Sequence, residues 1–123
     1  MGKWKIVTYA KVSGEKPVED FLRSLPGKHR AKAIREIDLL SEYGTLLTEP
    51  YCKAIKGNEY AGIWELRIKF ASDISRVFYF APYQDTFILL HGFIKKSDKI
   101  PKRELATAMR YMSDYERRFM KNE

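Results

Sequence analysis

A chain of 123 residues with 45% apolar and 14% aromatic side chains has the size and make-up of one compact globular domain, expected to occupy residues 1–123, and disorder is excluded as the default. Its 23 Lys and Arg against 16 Asp and Glu leave a formal charge of +7, which favours polyanionic partners, nucleic acid first. No apolar run approaches the roughly 20 residues that cross a bilayer, and a lone Cys52 with two dissimilar histidines, His29 and His91, offers neither an internal disulfide nor metal-ligand spacing. With no secretory pattern at the N-terminus, the expectation is a cytoplasmic domain with no membrane partner and no cofactor.

In chain order, Lys3 to Val12 alternates loosely and ends at Ser13-Gly14, as a first strand does. Pro17 then opens a short helix carrying Val18, Phe21, Leu22 and Leu25, stopped by Pro26-Gly27. From Lys28 the apolar positions Ala31, Ile34, Ile37, Leu40 and Tyr43 predict a second helix with one buried and one basic face, closed by Gly44. A short strand within Tyr51 to Lys56 precedes the clearest one, Ile63 to Phe70, in which Trp64, Leu66, Ile68 and Phe70 alternate with Glu65, Arg67 and Lys69. Turns at Ala71-Ser72-Asp73 and Pro82-Tyr83-Gln84-Asp85 carry the chain through Ile74 to Phe80 and Thr86 to Lys95, an antiparallel meander. Pro101 opens a last helix with Leu105, Ala108, Met109, Met112, Tyr115 and Phe119 on one face. The order predicts an α+β domain, a small antiparallel sheet with its helices packed on one face.

That arrangement leaves Glu65, Arg67 and Lys69 on the sheet face away from the helices. If the three meander strands are neighbours, Arg76 and Lys95-Lys96 converge there with Arg67 and with Lys53 or Lys56, a surface suited to phosphate. The same pattern also fits a solvated sheet face with charged strand ends. Arg76 stands apart, because a cation between Ser75 and Val77-Phe78 needs a reason to sit in an apolar strand. His91 reads as a hydrogen-bonded sheet histidine or as a general base, and His29 as a solvated helix residue. Tyr9, Tyr79 and Tyr83 read as strand packing or as stacking platforms for bases. Glu19-Asp20 fits the favourable end of a helix dipole better than paired-carboxylate chemistry.

Taken in order, Glu49-Pro50-Tyr51, Lys53-Ala54-Ile55-Lys56, Ile63-Trp64-Glu65-Leu66-Arg67, Ser75-Arg76-Val77-Phe78-Tyr79, Leu89 to Lys96 and Lys99 to Glu104 resemble the RelE/ParE toxin superfamily, in its phage-related HigB-like branch. The likeness runs from about Val18 to Tyr115. It implies the order β-α-α-β-β-β-(β)-α and the toxin half of a type II toxin-antitoxin module. Such a toxin is a metal-independent endoribonuclease that cuts mRNA, commonly on the ribosome, by attack of a ribose 2′-OH on the adjacent phosphate. Its partner is a cognate helix-turn-helix antitoxin, through which alone it reaches operator DNA.

By position the resemblance assigns Arg76 to phosphate and transition-state contact, with Arg67 and Lys96 assisting and Lys53, Lys56 or Lys95 exchanging protons. Lys69, Lys99, Lys102 and Arg103 are expected to contact RNA. No Tyr or His stands between Lys95 and Lys102, where several members of the family carry a stacking or acid/base residue, so the general acid has no assignment. Two other readings share these residues: a ParE-like inhibitor of DNA gyrase, against which the full set of cations argues, and a basic RNA-binding domain without catalysis.

Overall fold

A computed structural model of the chain describes residues 3–95 and 99–120. Along the chain run β1 (Lys5–Thr8), α1 (Pro17–Ser24), α2 (Gly27–Tyr43), β2 (Cys52–Ala54), β3 (Trp64–Phe70), β4 (Asp73–Tyr83), β5 (Thr86–Lys95) and α3 (Lys102–Phe119). The strands form one sheet in the order β1-β5-β4-β3-β2. The class is α+β, as expected, and β2 to β5 pair antiparallel, whereas β1 lies parallel to β5. Only the four residues of β1 that match Thr86 to Leu89 qualify as strand, which trims the longer first strand read from the sequence.

Local chemistry sets the boundaries. Pro17 begins α1, and Pro26 ends the approach to α2 because it cannot continue the preceding helix. The corner between them is held by Arg30, whose Nε donates to the Leu22 carbonyl at 2.9 Å while Nη2 reaches Arg23 and Leu25 at 2.9 Å. Gly44 closes α2 at φ 56°, and a Cβ there would run into the Trp4 indole, so both backbone and packing require glycine. Between β3 and β4 the chain reverses through Ala71 and Ser72.

Both faces of the sheet are covered, which corrects the expectation of helices on one face. Val18, Leu25, Ala33 and Leu40 from α1 and α2 pack on Leu66, Ile68, Val77, Tyr79, Phe87 and Leu89. Leu105, Ala108 and Met112 of α3 pack on Phe78, Phe80, Ile88, Leu90 and Phe93 of the opposite face. The cause is legible in β4 and β5: Val77 to Phe80 and Phe87 to Leu90 are unbroken apolar runs, the pattern of strands buried on both sides. The alternation of β3 holds for β3 alone.

The buried stripe of α2 also differs from the expected one. His29, Ala33, Glu36 and Leu40 face the sheet, while Ile34 and Tyr43 are about half exposed. Steps of three residues fall about 60° short of a full turn each time, so positions 31, 34, 37, 40 and 43 cannot share one face; steps of four and three can. His29, expected to be solvated, is therefore buried. Its Nε2 lies 2.8 Å from Ser75 Oγ and its ring stacks on Phe70 at 5.2 Å.

Candidate nucleic-acid interface

Strand register brings the cations together. Arg67 of β3 lies opposite Arg76 of β4, which in turn lies opposite Phe93 of β5, and Ile74 lies opposite Lys95. All of these side chains share the face on which α3 packs. Since α3 covers β5 and β4 near Phe78 and Phe93, the β2-β3-β4 end of the face stays open as a cleft of about 670 Å³. Lys53 and Lys56 close one side, Lys95, Lys99 and Ile100 the other, and Arg67 and Arg76 form the floor. Among the described residues, six cations and a single carboxylate, Glu65, line it.

Arg76 and Glu65 are the unusual members. Arg76 is 3% exposed and Glu65 1%, with Nε and Oε1 3.2 Å apart. The two charges attract without the alignment of a hydrogen bond, so Arg76 Nε and Nη1 and Glu65 Oε1 have no hydrogen-bond partner among the described residues. Burial pulls the guanidinium below its ordinary pKa; Glu65 offsets part of this and Arg67 adds to it by repulsion. Arg76 remains a cation throughout the accessible pH range. A buried guanidinium with unmade bonds and a like charge directly across the strand is costly on its own. A bound anion in the cleft offsets the repulsion between Arg67 and Arg76 and the part of the guanidinium's desolvation that Glu65 leaves uncompensated.

Of the ten residues singled out in the sequence, Lys53, Lys56, Arg67, Arg76, Lys95 and Lys99 meet in this cleft. Lys96 lies outside the described residues. Lys69 lines a smaller cavity adjoining the cleft at Arg67 and Ile74. Lys102 faces a groove along α3 with Tyr60, Arg110 and Arg117. Arg103 projects into solvent, 82% exposed and 3.8 Å from Glu104.

Other candidates fall away. His91 Nε2 lies 2.6 Å from Glu104 Oε1, tying β5 to α3 rather than lining the cleft, so it is the hydrogen-bonded sheet histidine. Tyr9 and Tyr79 are each 3% exposed and cannot stack bases; Tyr83 is exposed but stands at the β4-β5 turn. The sequence presents Glu65 only as one charge on the face; its place beside Arg76 comes from the structure. The clue was present, since residues 65 and 67 share a face two positions apart, but their closeness to Arg76 depends on register. Among the described residues no helix is long and apolar enough to cross a membrane, and no three His, Cys, Asp or Glu side chains are grouped to hold a metal ion.

A family model for the phage-derived protein Gp49-like (DUF891) group matches residues 20–113, a span that contains every residue lining the cleft. No curated protein matches the sequence significantly.

Proposed function

The chain belongs to the phage-derived Gp49-like (DUF891) family, and from that membership we propose that it is the toxin of a type II toxin-antitoxin pair. Its activity is endoribonucleolytic cleavage of mRNA, carried out at the ribosome. The observation that carries this reading is Arg76: a cation 3% exposed, with no hydrogen-bond partner for Nε and Nη1 among the described residues, on the floor of a cleft that five further described cations line. RNA supplies what such a cleft requires, a phosphate to engage the guanidinium and neighbouring phosphates for the lysines.

In the reaction the 2′-oxygen bonds to phosphorus and the bond from phosphorus to the 5′-oxygen breaks, leaving a cyclic 2′,3′-phosphate and a 5′-hydroxyl end. The phosphorane carries more negative charge than the diester, so fixed cations lower the barrier by more than they tighten ground-state binding. Arg76 donates to the non-bridging oxygens from a position held by Glu65 and by the strand, and Arg67 approaches from β3. One of Lys53, Lys56 and Lys95, which stand on the two walls, is the proton-transfer partner as the 2′-hydroxyl gives up its proton and the 5′-oxygen takes one. Lys96 belongs to the same proposal. A cognate helix-turn-helix antitoxin is the partner, docking on the outer surfaces of α1 and α2.

Controlled expression without the antitoxin tests the reading, with growth scored and mRNA 5′ ends mapped for wild type, Arg76→Ala and Arg67→Ala. Arrest with new 5′-hydroxyl ends within coding sequence is expected, abolished by Arg76→Ala. Arg67 is only half-buried, so its alanine variant keeps the fold and is expected to slow cleavage by at least about tenfold. Arrest with no new ends overturns the ribonuclease reading, and a supercoiling assay then tests gyrase as the target.

A further inference from the structure

Arg67 separates the cleft from a second, smaller cavity of about 290 Å³, whose walls include Lys32, Glu36, Tyr51 and Lys69. We propose that this cavity is a base-recognition subsite selective for guanine, read by the Glu36 carboxylate and capped by the Tyr51 ring. The proposal rests on the reading of the adjoining cleft as an RNA site and adds to it which nucleotide is preferred there.

Glu36 is the reason to look here. It sits in the sheet-facing stripe of α2 with 5% of its surface exposed, and its Oε1 has no hydrogen-bond partner among the described residues. Lys32 Nζ stands 3.9 Å from Oε2 and donates to the Lys69 carbonyl at 3.1 Å, so the ammonium leaves the carboxylate incompletely satisfied. A buried carboxylate with an unmade bond is expensive in a fold and is kept where a ligand completes it. Tyr51 is 41% exposed, and its carbonyl accepts from the Arg67 amide at 2.8 Å. The ring is thereby carried by the same backbone that positions Arg67. The volume is at the low end for small-molecule pockets, suited to one planar base rather than a length of chain.

The chemistry of the wall selects the base. An ionised carboxylate only accepts hydrogen bonds, so its ligand must bring donors. Guanine alone carries two adjacent donors on its Watson–Crick edge, N1–H and N2–H, matched to two carboxylate oxygens, with O6 beside them to accept from Lys32. Adenine and cytosine each set a ring nitrogen lone pair next to their amino group, and that lone pair would face a carboxylate oxygen. Uracil flanks its one N–H with two carbonyl oxygens. A tyrosine face stacks on any base and adds affinity without choosing among them.

The experiment titrates the full chain with the 3′-monophosphates of guanosine, adenosine, cytidine and uridine, following backbone amide shifts. The guanosine nucleotide is expected to bind at least about tenfold more tightly than the other three, with shifts at Lys32, Glu36 and Tyr51 as well as at Arg67. Glu36→Gln removes the preference while Arg67 and Arg76 still respond to phosphate. Equal affinities for the four nucleotides, or shifts confined to Arg67 and Arg76, overturn the proposal. The ranking on wild type decides the matter even if the variant does not fold. Guanine preference in a chain that cuts no mRNA would refute the ribonuclease and leave the subsite standing; mRNA cleavage without guanine preference would do the reverse.

Discussion

Replacing Glu65 by Leu strips the carboxylate from beside Arg76 and leaves a guanidinium 3% exposed, facing Arg67 across the strand. Removing one partner of a buried pair costs about 3–5 kcal/mol, because the survivor keeps its desolvation penalty and loses its compensation. For a chain of this length about 4 °C of melting temperature accompanies each kcal/mol, so a fall of about 12–20 °C is expected, toward the lower figure because the cleft admits water and anions. Replacing both residues, Glu65→Leu with Arg76→Leu, fills the same space with apolar atoms next to Phe78 and Phe93 and is expected to melt close to wild type while cleaving no RNA. Thermal melts by circular dichroism in a buffer free of phosphate read all three proteins. Added inorganic phosphate should raise the melting temperature of Glu65→Leu more than that of wild type, since binding to the folded state alone stabilises it. A fall of less than about 4 °C, equivalent to about 1 kcal/mol, or a double variant no more stable than the single, would refute the view that this pair is maintained against its own energetics for the sake of an anion.

Ser75→Ala leaves the His29 ring nitrogen buried without its 2.8 Å partner and is expected to cost about 1–3 kcal/mol in urea unfolding; a change within the error of the extrapolation would show that the ring finds another partner. At the far end of α3, the Tyr9 hydroxyl first and Arg118 second hold the Asp114 carboxyl below the usual carboxylate range. A depressed carboxylate contributes its stability above the unfolded value, near 3.8, and loses it as pH falls through the folded value. The melting difference between wild type and Asp114→Asn should therefore be constant from neutral pH down to about 4 and shrink below it; a difference that grows in acid would contradict this. In RNA binding, Lys53→Ala is expected to lower the slope of log affinity against log salt by about 0.7, one phosphate contact on a single strand. Arg103→Ala, outside the cleft, should leave the slope nearly unchanged, and equal effects from the two would place the RNA path along α3 instead.

Local chemistry alone was enough to locate most elements. Pro17, Pro26, Gly44 and Pro101 mark helix ends because each restricts or frees the backbone of a single residue, and β3 announces itself through side chains that alternate across one strand. Arg76 was conspicuous for the same reason, a cation in an apolar run. The failures share a different origin. A repeat of three approximates the helical period too poorly to name a face, so the burial of His29 and Glu36 on α2 is not legible in the sequence. A short apolar run does not say how many layers will cover it, so the second core shows only in the structure.

Composition and local pattern supply an inventory: an α+β chain, strongly basic, with its cations distributed along four strands and the segments beside them. Tertiary structure decided which of those charges meet. Lys53, Arg67, Arg76 and Lys95 belong to four strands, and they share a cleft because of register between β2, β3, β4 and β5 and because α3 stops short of the end of the sheet. It also decided that Glu65 is buried against Arg76 rather than solvated. Hydrophobic period and turn chemistry act within a few residues and can be read locally. Electrostatic coupling falls with distance through space and is indifferent to distance along the chain, so the site became legible only when the strands were paired.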